Sequence, residues 1–554
     1  MGEDMRNYDV ILIIIALVLS ILLYLAAGYA EKVLSPGWRM LYAIPFVVVL
    51  AFAGLYEADL CMVGVYVGSV LLLAGFLWEK KKIRRIAAIL AAVLSISAIP
   101  VCSLSPVYRA PNYLEDFEEG FAMLREFYVL EEHKGIDWTQ LYEKYEPRFR
   151  EVQKEHDAVG NYMAWYEFCS EFHDGHVYYA GNKEEVVNKA EERMYGNDYG
   201  LALMTLENGQ TVAVNVEPGS APALAEIRNG TVITAWNGQD IEELKARVRW
   251  NWDSFPDREN ERFYSALPVA GFGEDEVEIT FLDDNGEQHM VTAPKLGAYA
   301  KRMKDTLEIL HRSPEAGHLS WITLDEHTAC LKLKMMMYDA NSYESGNHSQ
   351  MQQELKEKLL SLKESGTDKL VIDLRNNTGG SPIFDMAIAS LLTPEGEHTF
   401  SYDGVWDQEK RSFRKESDGR YQVGGKLSYF GENIWDGQVI VLVNASTVSA
   451  GDALVLMLSE LDNVTIMGFT RSNSSCQAVC GVEFEHGSLS FSAVPNLTEE
   501  GLPIIDTDAS GESTMPLDVK VSFDEEAVAA LFDRGEDYLL KLAIEYGKTG
   551  ENKN

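Results

Sequence analysis

Hydrophobic positions follow two different patterns along the 554 residues, and the first pattern is continuous. Four apolar runs occupy about 10–30, 40–56, 60–78 and 86–104. Each is close to the roughly 20 residues that a helix needs to cross a bilayer. They predict four transmembrane helices within a membrane region at 1–105. A signal peptide followed by a buried core is the alternative, but acidic residues stand where a signal peptide has basic ones, at Glu3, Asp4 and Asp9.

Charge in the short loops predicts the orientation of these helices. The loop at 79–85 holds five Lys and Arg residues, whereas the loop around Glu57 and Asp59 holds none. Basic loops stay in the cytoplasm, so everything after Ser105 is expected outside it. The predicted location is a multi-pass cell-membrane protein with an extracytoplasmic soluble part. The runs carry no charged residue near the middle of the bilayer, which argues for an anchor in the lipid bilayer and against a transporter.

After Ser105 the hydrophobic positions become periodic. Spacings of three and four residues predict a helical cap that follows a linker, at 106–195. Short strands and turns, including a strand that ends at Asn237-Gly238, predict a small β-domain at 196–297. Apolar strands then alternate with helices, which predicts an α/β (α+β) core with a mixed sheet and flanking helices at 298–530. A C-terminal helix and tail complete the chain at 531–554.

Composition narrows the possible partners. The net charge is −38, and residues 110–554 hold 79 acidic but only 39 basic side chains. An excess of carboxylates repels phosphate backbones, so nucleic acid is not an expected partner. Six scattered cysteines do not make a disulfide scaffold. A bridge between Cys476 and Cys480 would need a turn between them and is left open.

Two strand-to-helix junctions carry candidate chemistry. In the segment 373–382, the glycines Gly379 and Gly380 leave backbone N–H groups bare at a helix start, where negative charge is stabilised. The local alternative is a tight turn with Ser381 as helix cap. In the segment 444–453, Ser449 is placed to act as a nucleophile and the Ala450 N–H to hold an oxyanion. Here the alternative is a capping box formed by Ser449 with Asp452.

A third candidate is the run 171–179, where His176 precedes a β-like segment and could serve as a general base. A lone histidine is more often structural. His173 and His176 could also bind a metal, but no third ligand has a suitable spacing. No metal and no cofactor are therefore expected.

Together, these motifs resemble the tail-specific or C-terminal processing serine peptidase family, in its tricorn-like branch. The resemblance covers about 115–523, through 174–176, 373–380, 449–452 and the late run 489–518. It implies a peptidase core, protein or peptide substrates and an inserted PDZ-like domain at 196–297. That domain would bind the C-terminal carboxylate of a peptide with backbone N–H groups near Tyr199, Gly200 and Leu201.

Matched position by position, the resemblance implies that Ser449 is the nucleophile and His176 its base. Ala450, Gly379 and Gly380 match the oxyanion hole. Glu512 is the best match for the acid that orients the histidine, with Asp508 as its rival.

One departure from the family pattern bears on the mechanism. The better-known branch has a lysine base about 25 residues after the nucleophile, and Asn473 stands there in this chain. No lysine occurs between Lys426 and Lys520, so a Ser/Lys dyad would need a distant lysine to fold in. A Ser449/His176 pair fits better, with His486 as the rival base. The alternative function is a catalytically inactive homologue that binds peptides as a membrane-bound scaffold.

Overall fold

A computed structural model describes residues 112–247, 255–314 and 317–547. The chain divides into one unit at Met1–Asn112 and a second at Tyr113–Asn554, and the elements below belong to the second.

The first part of this unit is a helical cap. Aromatic side chains at three- and four-residue spacing form its core; Phe117, for example, stacks on Phe149 with 4.2 Å between ring centroids. Near its end, one strand of the cap joins a sheet formed mainly by later residues. Its elements are α1 (Tyr113–Phe127), α2 (Glu131–Lys134), α3 (Trp138–Glu155), α4 (Ala158–Ser170), β1 (Tyr178–Gly181) and α5 (Glu184–Tyr195).

A β-domain follows, with a four-stranded sheet in the order β6-β5-β7-β8 and two shorter pairs, β3 with β4 and β2 with β9. Its strands are β2 (Asn197–Asp198), β3 (Ala202–Thr205), β4 (Thr211–Val214), β5 (Ile233–Trp236), β6 (Gln239–Asp240), β7 (Glu276–Leu282), β8 (Gln288–Pro294) and β9 (Gly297–Ala298). Its helices are α6 (Ala221–Leu224), α7 (Ile241–Arg247), α8 (Arg258–Tyr264) and a 3₁₀-helix at Leu267–Gly271.

The core is built on a six-stranded sheet in the order β10-β11-β12-β17-β18-β22. Only β10 runs antiparallel to its neighbour, and the remaining strands are parallel. The strands of this sheet are β10 (Leu319–Thr323), β11 (Thr328–Leu333), β12 (Lys369–Asp373), β17 (Gln438–Leu442), β18 (Val464–Gly468) and β22 (Val519–Lys520).

Both faces of the central sheet are covered. Leu370 and Ile372 of β12 pack in the same cluster as residues of α11, α12 and α13, whereas Val371 packs in a cluster with the β-domain and the C-terminal helices. The helices of the core are α9 (Tyr299–Leu310), α10 (Ala340–Ser345), α11 (Ser349–Glu364), α12 (Pro382–Leu392), α13 (Ala450–Ser459), α14 (Glu525–Val528), a π-helix (Ala529–Asp533) and α15 (Tyr538–Glu545). The predicted α/β core with a mixed sheet is confirmed.

Smaller sheets complete the core. β1 of the cap pairs with β20, and β20 pairs with β19. This arrangement brings the end of the cap beside late strands of the core. The remaining strands are β13 (Gly396–Gly404), β14 (Trp406–Asp407), β15 (Ser412–Phe413), β16 (Val423–Gly431), β19 (Ala478–Glu483), β20 (Gly487–Val494) and β21 (Asn496–Leu497).

The membrane part of the predicted fold class is corrected. No helix in 112–247, 255–314 or 317–547 is long and apolar enough to cross a bilayer. The four apolar runs between 10 and 104 that motivated the prediction lie outside the described residues.

Candidate active site

Two strand ends form the base of the candidate active site. β12 and β17 are parallel neighbours, so their carboxyl ends meet at one edge of the sheet. Beyond these ends, Asn376 N–H donates to Asn444 Oδ1 at 3.0 Å and Asn444 Nδ2 donates to Asn376 Oδ1 at 2.9 Å. One step further, Val448 N–H donates to the carbonyl of Asn377 at 3.0 Å. The two predicted motifs are thus joined directly to each other.

The charged residues of the first motif hold the scaffold together. Arg375 is buried and binds Asp373, through Nη2 to Oδ2 at 2.7 Å, and also Asp537, through Nη1 to Oδ1 at 2.7 Å. Lys332 adds a contact to Asp373 at 3.2 Å. A buried charge is tolerated only when it is paired in this way. These ion pairs hold the end of β12 against its neighbours.

Ser449 stands at the start of α13 in a strained conformation, with φ 63° and ψ −122°. A non-glycine residue in this region costs about 1–3 kcal/mol, and such strain is concentrated at functional sites. Its side chain makes no capping hydrogen bond, so the capping box with Asp452 does not form. Asp452 instead accepts the N–H groups of Ser474 and Ser475, each at 3.1 Å. Ser449 is partly exposed, as a nucleophile must be.

The three candidate oxyanion donors are not equivalent. Within the described residues, the N–H groups of Ala450 and Gly380 have no hydrogen-bond acceptor. The Gly379 N–H, by contrast, donates to Asn377 Oδ1 at 2.9 Å. Gly379 lies against Ser449, since a Cβ built on it would be 2.5 Å from Ser449 Cβ. Gly379 therefore provides space, and the available donors are on Ala450 and Gly380.

His176 is held by the carboxyl two residues before it. Asp174 Oδ1 accepts the His176 main-chain N–H at 2.9 Å, while Oδ2 accepts Tyr128 Oη–H at 3.1 Å and Ser492 Oγ–H at 2.8 Å. The ring is buried, and its Nδ1 has no hydrogen-bond partner within the part of the chain that the structure describes. Burial lowers the pKa of His176, and the charge of Asp174 opposes this only in part.

Ser475 connects the histidine turn to Ser449. Its carbonyl accepts the Ser449 N–H at 2.9 Å, and its Oγ accepts the Gly175 N–H at 2.8 Å. Residues 449 and 175 are therefore separated by one bridging residue. Among the described contacts, no hydrogen bond joins Ser449 Oγ to the His176 ring. Such bonds are often long before substrate binds.

Asn473, which stands where the better-known branch has its lysine, lies directly under the histidine turn. Its Nδ2 donates to the carbonyl of Ala445 at 3.1 Å, and its N–H donates to the carbonyl of Thr447 at 2.8 Å. A Cβ on Gly175 would come within 2.2 Å of Asn473 Oδ1. The turn that carries His176 therefore packs tightly on this asparagine.

Neither predicted acid reaches the histidine. Glu512 and Asp508 are both exposed. The Glu512 N–H donates to Ser510 Oγ at 3.3 Å, and Asp508 Oδ1 accepts the Ser510 N–H at 2.8 Å. Within the described residues, neither carboxylate contacts His176.

The rival base, His486, belongs to a different part of the molecule. It lies 3.4 Å from Asp116 Oδ2, and its ring meets Tyr113 edge-on at 4.8 Å. Ser492 lies six positions later in the chain, which corresponds to roughly 20 Å at about 3.3 Å per residue. It is Ser492, on β20, that donates to Asp174 of the histidine turn.

The β-domain residues that were predicted to bind a peptide are buried in this structure. Tyr199 and Leu201 are fully buried. The Gly200 N–H donates to Asp198 Oδ1 at 2.8 Å, and this carboxylate also binds Arg302 at 2.6 Å. A peptide carboxylate would have to displace Asp198 to reach the Gly200 N–H.

Two kinds of residue that contribute to the site were not predicted from the sequence. Ser475 carries no signal in the sequence, because its two partners are the main-chain N–H groups of Ser449 and Gly175, which do not depend on residue type. Tyr128, which donates to Asp174, contributes from the cap, more than 300 residues before Ser449. The amide pair of Asn376 and Asn444 was the more accessible signal, because both residues closely follow neighbouring apolar strands.

Comparison with known proteins agrees with this arrangement. Residues 327–487 match the domain described as Peptidase family S41, and residues 110–159 match the Tricorn protease C1 domain. A carboxyl-terminal-processing protease from Synechocystis sp. is 28% identical over 163 residues, which are 29% of this chain and 32% of that protein. The chain thus spans about a third of the length of this curated relative.

Solved structures show the same fold over a larger share of the chain. Mature CPAF, alone and complexed with lactacystin, aligns with 79% and 78% of this chain and with 98% of its own chain in each case. Both alignments have a TM-score of 0.51 at 14% identity. The chain is thus similar to peptidase family S41 over 327–487, to the Tricorn protease C1 domain over 110–159, and to a carboxyl-terminal-processing protease over 163 residues.

Proposed function

We propose that the protein is a serine endopeptidase in which Ser449 is the nucleophile and His176 the general base. The observation that carries the proposal is the backbone of Ser449, strained at φ 63° beside two N–H groups that lack an acceptor among the described residues. A serine that only capped a helix would have no need for this conformation.

The chemistry follows from these positions. Ser449 Oγ attacks the scissile carbonyl as His176 takes its proton, and the N–H groups of Ala450 and Gly380 receive the developing oxyanion. His176 then gives the proton to the leaving amine. Water, activated by the same histidine, hydrolyses the acyl-enzyme and frees Ser449.

Peptide hydrolysis by purified variants tests the proposal. Ser449→Ala and His176→Ala should both be inactive towards an unfolded protein substrate, while His486→Ala should keep wild-type activity. Loss of activity in His486→Ala with activity retained in His176→Ala would move the base to His486. A wild-type protein that binds peptides without cleaving them would support the alternative, an inactive peptide-binding homologue.

We further propose that the β-domain selects substrates by their C-terminal tails. In support, two leucines are exposed in this domain: Leu224 at 77% and Leu296 at 51%. Leu296 Cδ1 lies 3.4 Å from the Cβ position of Gly200.

Leu296→Asp should abolish the preference for an apolar tail and spare cleavage of a short ester. Leu360→Asp, at an exposed leucine of α11, is the matched control. Tail preference unchanged in Leu296→Asp would exclude this surface.

An extracytoplasmic location of the substrates is proposed from loop charge alone. Protease added to intact cells should then digest the part of the chain beyond Tyr113. Full protection of that part would place the peptidase region inside the cell.

A further inference from the structure

A buried lysine of the cap lies against the back of the histidine turn. Lys134, the last residue of α2, is only 9% exposed. Its Nζ donates to the carbonyl of His173 at 2.8 Å and to Thr507 Oγ1 at 2.7 Å. His173 has a positive φ of 46° and immediately precedes Asp174, Gly175 and His176. The ammonium group thus ties the cap to the start of the turn and to the segment around 507.

We infer that Lys134 is a positioning residue for His176, acting through the His173 carbonyl and through the carboxyls of Asp174 and Asp506. The inference rests on the proposed role of His176 as base. It makes the cap part of the catalytic apparatus, since Tyr128 of the same region also holds Asp174.

Lys134 is not itself placed to act as the base. A lysine base must be neutral and must face the serine hydroxyl. Nζ instead donates to two oxygen acceptors, on His173 and Thr507. Within the described residues it makes no hydrogen bond to Ser449. Lys134 is therefore a lysine distant in the sequence that packs against the histidine turn and not beside Ser449.

Three carboxyl groups act on this ammonium through their charge: Asp174 of the histidine turn, and Asp506 and Asp508 of the segment after β21. His133 is its neighbour on α2 and lies 3.1 Å from the carbonyl of Asp506. Burial lowers the pKa of Lys134, while Asp506 and Asp174 oppose that change. An ammonium this deeply buried is stable only with such partners.

If Lys134 positions His176, the loss of its charge should change the pH dependence of activity in a specific way. Without it, the negative charge of Asp174 is no longer balanced, and Asp174 already raises the pKa of His176. Loss of Lys134 should therefore shift the acid limb of the activity profile to higher pH. Loosened packing alone would lower activity at every pH without moving this limb.

The test compares three variants of the full chain on a peptide substrate. Lys134→Met should lower kcat about 10- to 100-fold with KM changed less than about twofold, because a hydrogen bond from a charged donor is lost. Its acid limb should rise by about 0.5 pH unit or more. Thr507→Val keeps the ammonium and should lower kcat by a smaller factor without moving the limb. Lys144→Met, at a half-exposed lysine of α3 paired with Glu171, is the matched control and should behave as wild type.

Wild-type kcat in a folded Lys134→Met protein would overturn the inference, as would an unshifted acid limb. If Lys134→Met does not fold, Lys134→Gln decides the matter, because it removes the positive charge but keeps a hydrogen-bond donor. A lower kcat with the limb shifted to higher pH in Lys134→Gln would support positioning, and an unmoved limb would overturn it. An inactive wild-type protein in which a fluorophosphonate does not label Ser449 would instead refute the proposed function.

Discussion

Gly379 and Ser449 are in such close contact that a Cβ on Gly379 would lie 2.5 Å from Ser449 Cβ and 3.1 Å from Ser449 Oγ. Gly379 also has a φ of 76°, which a side chain disfavours. Gly379→Ala should therefore displace the nucleophile and lower kcat/KM at least about 100-fold, as expected when nucleophile and oxyanion geometry are lost. Steady-state peptidase assays measure this directly.

Gly366→Ala is the control for backbone strain alone. Gly366 has a φ of 88°, but a Cβ there would meet nothing within 4 Å. This variant should lose about 1 kcal/mol of unfolding free energy and keep its activity. If Gly379→Ala were as active as Gly366→Ala, the contact with Ser449 would have no role in catalysis.

Asn473→Lys would restore the lysine of the better-known branch at its usual position. We expect it not to create a Ser/Lys site, because Asn473 is packed under Gly175 and tied to the carbonyl of Ala445. The longer side chain should push the histidine turn away and reduce activity more than about tenfold. Activity measured in an Asn473→Lys, His176→Ala double variant decides the point, because activity there would show that the lysine can serve as base.

Asn463→Lys is the matched control for this substitution. Asn463 also donates its amide to a carbonyl, that of Gly437, at 2.7 Å, but it lies at the start of β18, at the opposite edge of the sheet. Its replacement by lysine should leave kcat/KM unchanged.

Sequence periodicity predicted the sheet and its helices because buried parallel strands have nearly continuous apolar sequences, such as 370–372 and 439–443. It also placed Ser449 at a strand-to-helix junction. Whether that serine capped the helix could not be predicted, since the choice depends on its backbone angles and on the use of Asp452 by a loop more than 20 residues later. The acid matched at Glu512 rested on loose spacing, and the structure leaves that side chain exposed.

Asp452 should make stability depend on pH. Burial raises the pKa of its carboxyl to about 7 from an ordinary value of 3.8. The folded state therefore holds a proton that the unfolded state has released, so the contribution of Asp452 is complete below about pH 4 and is lost as pH rises towards 7. The loss is on the order of 4 kcal/mol at most. Asp452→Asn should flatten this fall, measured as unfolding free energy by urea titration between pH 4.5 and 7.5.

Asp508→Asn is the control for this pH effect. Asp508 is exposed, and its bonds with Ser510 lower the pKa of its carboxyl. Its contribution to stability has the opposite sign, being present above its ordinary value and lost as pH falls. If the unfolding free energy of Asp452→Asn falls with rising pH as steeply as that of the wild type, Asp452 does not hold the excess proton.

The activity profile should reflect the buried state of His176. Because burial lowers the pKa of its ring, the acid limb of kcat/KM should lie below the ordinary histidine value of 6.5. The limb should be unchanged in His486→Ala. A limb above 6.5 in the wild type would conflict with a buried imidazole as the base.

Labelling with a fluorophosphonate tests the pairing of Ser449 with His176 most directly. Peptide mass mapping should find the adduct on Ser449 in the wild type and in His486→Ala, and no adduct in Ser449→Ala. In a folded His176→Ala protein, the labelling rate should fall at least about 100-fold. Labelling of Ser449 at the wild-type rate without His176, or an adduct on any other serine of the wild type, would contradict the account.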